Sequence, residues 1–315
     1  MAKKIAFLFP GQGSQSVGMG KDLYDNYAAA KKVFETADNT LGKSISSMCF
    51  EGPEDDLKQT VNTQPSIVTM SIAAMEALKS EIDIEPDYVA GHSLGEYCAL
   101  YTAGVMSLED TLFAIQKRAD LMGSVKGGSM AAILNATEDQ LKEGLAEGSK
   151  VGYVDVANYN SPAQVVITGD ENAVKVAGDY MLANGVRRVV MLPVSGAFHS
   201  KFMENAGKEF AEFVSGMNLN DAKIPVFTNV DAEPTTLNSD FREKMPRQIY
   251  SSVHWTQTIE KMVKNGVEIF VEIGPGKVLA GLNKKISPES VVYNVYDAET
   301  LKQTADAIKA ELSLT

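Results

Sequence analysis

Gly91-His92-Ser93-Leu94-Gly95 sets a serine between two glycines, each two residues away. G-x-S-x-G is the spacing of a nucleophile elbow, a tight strand-to-helix turn that lifts a hydroxyl clear of the backbone. The pattern is short, and a glycine-flanked serine in an ordinary turn satisfies it equally well. Its surroundings favour the elbow. Residues 88–90 read as a short strand, and 94–103 are small and apolar all round, as a buried central helix requires. Ser93 then stands at a helix N-terminus, where free backbone N–H groups stabilise a developing oxyanion.

A serine hydroxyl needs a base, and the chain has only three histidines. The side chain of His92, adjacent to Ser93, should leave the elbow in another direction, which suits packing better than catalysis. His254 precedes Trp255 near a helix start, where a capping or surface role suffices. His199, in Gly196-Ala197-Phe198-His199-Ser200, follows a strand end, and such loops carry function in α/β folds. It is the best candidate base, against the alternative of a structural histidine. Arg118 lies on a helix opening at Ser107 whose core stripe is Leu108, Leu112, Ile115, Ala119 and Met122. Spacing alone puts it at the edge of the buried face, as a surface arginine with a snorkelling stem.

The elements that must hold these residues alternate. An apolar run at 5–9 ends at Pro10-Gly11 and reads as a fully buried strand. Helical spacing marks 66–82, and Ser107 with Asp110 predicts a capping box. From Gly127-Gly128 the pattern changes to strand 130–134, helix 137–146, strands 151–157 and 164–168, helix 172–183 and strand 186–194. That β-α-β-β-α-β order predicts a ferredoxin-like unit, inserted at 126–195 into a larger domain of 1–125 and 196–315. Beyond it come helix 208–214, strand 224–230, helix 256–265, strand 267–273, a helix from 277 and strand 291–295. The fold class is α/β, with a mostly parallel sheet covered on both faces.

Composition narrows the function. The chain has 315 residues, is 44% hydrophobic and carries a net charge of -12, so nucleic acid is a poor partner. The apolar run at 5–9 is short for a signal peptide, and no stretch is long enough for a membrane span. Two separate cysteines, Cys49 and Cys98, fit a reducing compartment, and a cytoplasmic protein is expected. No metal-ligand spacing is evident. Gly11-Gln12-Gly13 is no dinucleotide loop, because the third glycine position holds Ser16. No cofactor is expected.

Several motifs together resemble the malonyl-CoA:acyl carrier protein transacylases. They are Phe9-Pro10-Gly11-Gln12-Gly13-Ser14-Gln15, Thr63-Gln64-Pro65, the Ser93 pentapeptide with Glu96, Ala197-Phe198-His199-Ser200 and Glu272-Ile273-Gly274-Pro275-Gly276-Lys277, in order along nearly the whole chain. The resemblance implies an α/β-hydrolase-like large subdomain with a ferredoxin-like insertion. It implies Ser93 as nucleophile, His199 as base, the Gln248 backbone carbonyl as the group orienting His199, and the N–H groups of Gln12 and Leu94 as oxyanion hole. Gln12, Gln64 and Phe198 would line the substrate site, and Arg118 would clamp the malonyl carboxylate, which a planar guanidinium can do bidentately. Phe198 would crowd out an α-methyl branch; by position alone it fits ordinary core equally well. The implied reaction moves malonyl from malonyl-CoA to the phosphopantetheine thiol of acyl carrier protein through a malonyl-serine. Ser251-Ser252-Val253 departs from the family, which often has Pro before this Val. Carrier proteins are acidic, so docking on this acidic chain needs a local basic patch. Arg187-Arg188 and Lys284-Lys285 are candidates, with solvated surface charge an equal alternative. A serine thioesterase or other hydrolase, and a free-standing acyltransferase of a polyketide synthase, share much of this pattern.

Overall fold

A computed structural model describes residues 3–194 and 196–312. The first half runs β1 (Lys4–Phe9), α1 (Lys21–Asn26), α2 (Ala28–Leu41), α3 (Ile45–Glu51), α4 (Glu54–Leu57), α5 (Thr60–Glu81), β2 (Tyr88–Gly91), α6 (Glu96–Thr102) and α7 (Leu108–Ser124). Then come β3 (Ser129–Leu134), α8 (Glu138–Gly148), β4 (Val154–Ser161), β5 (Gln164–Gly169), α9 (Glu171–Ala183) and β6 (Arg188–Met191). The chain closes with α10 (Glu204–Ser215), β7 (Val226–Phe227), β8 (Pro234–Thr235), α11 (Asn238–Gln248), α12 (Trp255–Lys264), β9 (Val267–Ile273), α13 (Val278–Ile286), β10 (Val291–Val295) and α14 (Ala298–Leu312).

The large sheet has the order β10-β9-β1-β2-β7-β8 and is parallel except for β8. Its middle strand shows why the run at 5–9 is apolar throughout. Ile5, Phe7 and Phe9 enter one core layer, while Ala6 and Leu8 enter the other with Trp255, Ile259 and Leu279. Both faces are therefore covered, and neither tolerates a polar side chain at these positions. The second sheet, β4-β5-β3-β6, is antiparallel throughout and keeps its own core beneath α8 and α9. This is the strand order of a ferredoxin-like unit. The chain enters and leaves it side by side, where Gly127 and Gly196 form a parallel bridge. Met1, Ala2, 313–315 and the proposed boundary residue Ser195 lie outside the described residues.

Several expectations need correction. The helix expected at 66–82 begins at Thr60, with Pro65 inside it. A proline there strips the carbonyl four residues back of its partner. The Val61 carbonyl instead accepts from Lys43 Nζ (3.3 Å) and Gln116 Nε2 (3.4 Å). Ser107 does cap α7, but its hydroxyl donates to Asp110 Oδ2 at 2.9 Å, so Asp110 is not turned back to the cap N–H as a capping box needs. The full capping box is at Thr137 and Gln140, ahead of α8. The strand expected at 186–194 is only Arg188–Met191; Leu192 still donates its N–H to the Met130 carbonyl at 2.9 Å, and Leu192 to Val194 line a cavity. The strand expected at 224–230 stops at Phe227, because Asn229 turns to bond the Ser93 turn. The helices α1 to α4, α11 and α14, and strand β8, fall outside the sequence-based expectations.

Candidate active site

The turn after β2 explains the glycine spacing. A Cβ on Gly91 would meet the Gly95 carbonyl at 1.9 Å, and one on Gly95 would meet the Phe9 carbonyl oxygen of β1 at 2.2 Å. The chain reverses against itself and against the central strand at once, and only glycine fits both positions. Between them Ser93 has φ 51, a left-handed conformation costing a serine about 1–2 kcal/mol. Ser93 to Gly95 form a short 3-10 turn that leads into α6.

The Ser93 hydroxyl is held from two directions. Its Oγ lies 2.8 Å from His199 Nε2 and accepts a hydrogen bond from Arg118 Nη2 at 3.0 Å. His199 arrives from the loop after the second sheet and is itself left-handed, with φ 54. Its Nδ1 faces two backbone carbonyls, Gln248 (2.9 Å) and Ser251 (3.1 Å). Two acceptors there place the proton on Nδ1 and leave Nε2 free to accept the serine proton. Burial, reinforced by the charge of Arg118, pulls His199 down to about 3. The imidazole is therefore neutral at physiological pH, the state in which a base can act.

Arg118 corrects the surface reading. It is fully buried, because α7 packs against α5 and the residues facing Arg118 arrive from distant segments. Nη1 donates to Gln64 Oε1 at 2.7 Å and Nη2 to Gln248 Oε1 at 3.0 Å, while Nε has no partner among the described residues. No carboxylate of the described residues forms an ion pair with it. Glu96 acts on it through space, but burial pushes that carboxyl up to about 7. A buried guanidinium without a counter-ion is costly, and an anionic ligand would supply the missing charge.

A cavity of about 380 Å³ opens over Ser93 and His199. Gln12, Gln64 and Phe198 line it, as do Met122 and Met130. Neither the Leu94 nor the Gln12 N–H donates to an acceptor among the described residues, so both can serve a developing oxyanion. Arg187, Arg188, Lys284 and Lys285 are exposed but do not line the cavity. Lys58, which the sequence reading missed, does line it.

The other histidines settle into packing. His92 Nε2 lies 2.7 Å from Asn160 Oδ1, tying the elbow to β4, and its ring packs near Trp255. His254 occupies the N-cap position of α12 without a side-chain cap bond, and its ring stacks on Tyr159 at 5.3 Å. Ser252, at the departure from the family pattern, donates its hydroxyl to the Val156 carbonyl at 2.6 Å. Val253 pairs with Ala157 and Tyr159, so this segment grips the second sheet while presenting carbonyls to His199.

A strand, a glycine-framed turn and a helix that together offer a serine to a buried neutral histidine define the serine-dependent acyl-transfer class on an α/β frame. The chain belongs to the acyl transferase domain family, whose model matches residues 6–301. It is 43% identical over 312 residues to the malonyl CoA-acyl carrier protein transacylase of Bacillus subtilis, covering 98% of each chain. The solved acyl carrier protein S-malonyltransferase of Vibrio cholerae superposes with a TM-score of 0.92 at 37% identity, covering 96% of this chain and 99% of that one. A malonyl-transacylase solved in complex with a type II PKS acyl-carrier protein superposes at 0.94 with 34% identity, covering 96% and 99%. Among the described residues no helix is long and apolar enough to cross a membrane.

Proposed function

We propose that this chain transfers malonyl from malonyl-CoA to the phosphopantetheine thiol of acyl carrier protein in fatty-acid synthesis. The observation that carries this reading is Arg118, buried without a counter-ion among the described residues and bonded to the Ser93 hydroxyl. A plain fatty acyl group has no use for that charge; a malonyl carboxylate does. His199 takes the Ser93 proton as Oγ attacks the thioester carbon, and the Leu94 and Gln12 N–H groups receive the oxyanion. CoA leaves as its thiol, protonated by His199. The carrier thiol then gives its proton to His199, attacks the malonyl ester and restores Ser93. Phe198, on the cavity wall, limits bulk at the α-carbon. In this reading 1–125 and 196–315 form the catalytic subdomain and 126–195 the insertion that walls the cavity. The free, buried thiols of Cys49 and Cys98 suit a cytoplasmic setting.

Transfer is separated from hydrolysis by product. With malonyl-CoA and the thiol-bearing carrier protein, malonyl should appear on the carrier faster than free malonate is released; the reverse order would make the protein a thioesterase. In the same assay, reversing the charges of Arg187 and Arg188 or of Lys284 and Lys285 should raise KM for the carrier and leave malonate release unchanged. An unchanged KM removes that pair from the docking surface.

A further inference from the structure

We propose that Asn229 is a positioning residue for acyl transfer, its buried carboxamide clamping the nucleophile elbow from both sides and setting where the Ser93 hydroxyl stands. This rests on the proposal that Ser93 carries the acyl group. Asn229 lies two residues beyond the end of β7 and is fully buried. Its Oδ1 accepts the Ser93 N–H at 2.8 Å, and its Nδ2 donates to the Gly91 carbonyl at 2.7 Å. Its backbone N–H donates to Glu96 Oε2, also at 2.7 Å. One residue thus bonds the last residue of the strand, the strained serine and the first residue of the helix.

The chemistry of the side chain fits the task. Gly91 offers an acceptor and Ser93 a donor across the same turn, and a carboxamide is donor and acceptor in one planar group. Ser93 departs from the favoured backbone regions, and such a conformation persists only where its surroundings hold it. The Ser93 carbonyl is held in turn by Gln248 Nε2 at 2.8 Å. With both its N–H and its C=O committed, the residue has little freedom except at Oγ, which faces His199 and Arg118. Loosening the clamp should displace the hydroxyl and slow the chemical step. Malonyl binding should change less than the rate, because Arg118 sits on α7 and Asn229 reaches it only through Gln248, whose Nε2 donates to Asn229 Oδ1 at a long 3.4 Å.

The test is single-turnover acylation by malonyl-CoA, following the wild type, Asn229→Leu, Asn229→Asp and Ser93→Ala in parallel. Asn229→Leu should lower the limiting rate by on the order of 10²-fold, the cost of a small misplacement at a reacting centre, with half-saturation within about threefold of wild type. Asn229→Asp keeps an acceptor for the Ser93 N–H but loses the donor to Gly91 while ionised, and regains one on protonation. The same buried surroundings that push Glu96 up favour the protonated carboxyl; the charged groups acting on Glu96 there are Arg118 and Asp231, the latter paired with Lys244. The rate of Asn229→Asp relative to wild type should therefore rise as the pH is lowered from about 8 to about 6. Limiting rates within about threefold of wild type for both variants, or a loss confined to half-saturation, would overturn the role. If Asn229→Leu does not fold, the Asn229→Asp ratio decides, and a ratio independent of pH counts against the clamp. Acylation of Ser93→Ala would remove the underlying site reading instead. Inert Ser93→Ala beside unimpaired Asn229 variants would remove only the role of Asn229.

Discussion

Replacing His199 by alanine is expected to slow acylation by malonyl-CoA about 10²–10⁴-fold, the range a positioned general base contributes. The expectation follows from the contacts on both ring nitrogens. Nε2 is 2.8 Å from Ser93 Oγ, and the two carbonyls at Nδ1 fix both ring orientation and tautomer. Two neutral carbonyls do what a carboxylate does in other serine enzymes, without adding a buried negative charge. The wild-type pH profile should carry the same signature. Because His199 is held down to about 3, kcat/KM should lose no activity to this residue as the pH falls from about 8 to about 5. A limb centred near the ordinary 6.5 and absent from a profile of His199→Ala would contradict the buried, neutral base. Stability follows the same sign. The folded value lies below the unfolded one, so the unfolded chain takes up the proton first. The contribution is complete above about 6.5 and is lost as the pH falls towards about 3.

Arg118→Ala should change selectivity more than any other single substitution on the cavity side. Two charge-assisted hydrogen bonds to the malonyl carboxylate, at about 1.5–3 kcal/mol each, correspond to roughly 10²–10⁴-fold in kcat/KM for malonyl-CoA. Acetyl-CoA has no carboxylate and should lose far less. Some loss is still expected there, since Nη2 also donates to Ser93 Oγ. Competing malonyl-CoA and acetyl-CoA, each with a distinct label, reads the ratio directly. An equal fall in both would show that Arg118 supports the serine alone and clamps no carboxylate. Arg118→Lys should recover little, because a point charge cannot reproduce the fork now held by Gln64 and Gln248.

The parts of this site that could be read in the sequence are those whose reasons are local. Gly91 and Gly95 announce the elbow because backbone meets backbone there, and no other residue type fits. The β-α-β-β-α-β order is visible because each element carries its own periodicity and turn residues. His199 emerges because the chain has so few histidines to choose from. The burial of Arg118 is not local. Its place beside Ala119 on a helical stripe says only that it borders the core. The groups that enclose it, Gln64 and Gln248, come from α5 and α11. Asn229 bonds Ser93 across 136 positions of sequence, and nothing near it in the chain signals that task. Strand ends were hidden for the same reason. Residues 192–194 look like the continuation of a strand but line the cavity, and Asn229, which looks like part of the strand before it, bonds the elbow instead. The side chain of Gln248 joins Arg118 to Ser93 while its carbonyl orients His199, so one residue touches all three; the family resemblance implies only the carbonyl.

The proposed mechanism requires a malonyl group on Ser93. The most direct measurement is intact mass after brief exposure to malonyl-CoA, followed by addition of acyl carrier protein bearing its phosphopantetheine thiol. The wild type should gain a single malonyl group and lose it to the carrier, and Ser93→Ala should gain none. A malonyl group on Ser93→Ala at the wild-type level, or one on the wild type that the carrier does not remove, would contradict the account.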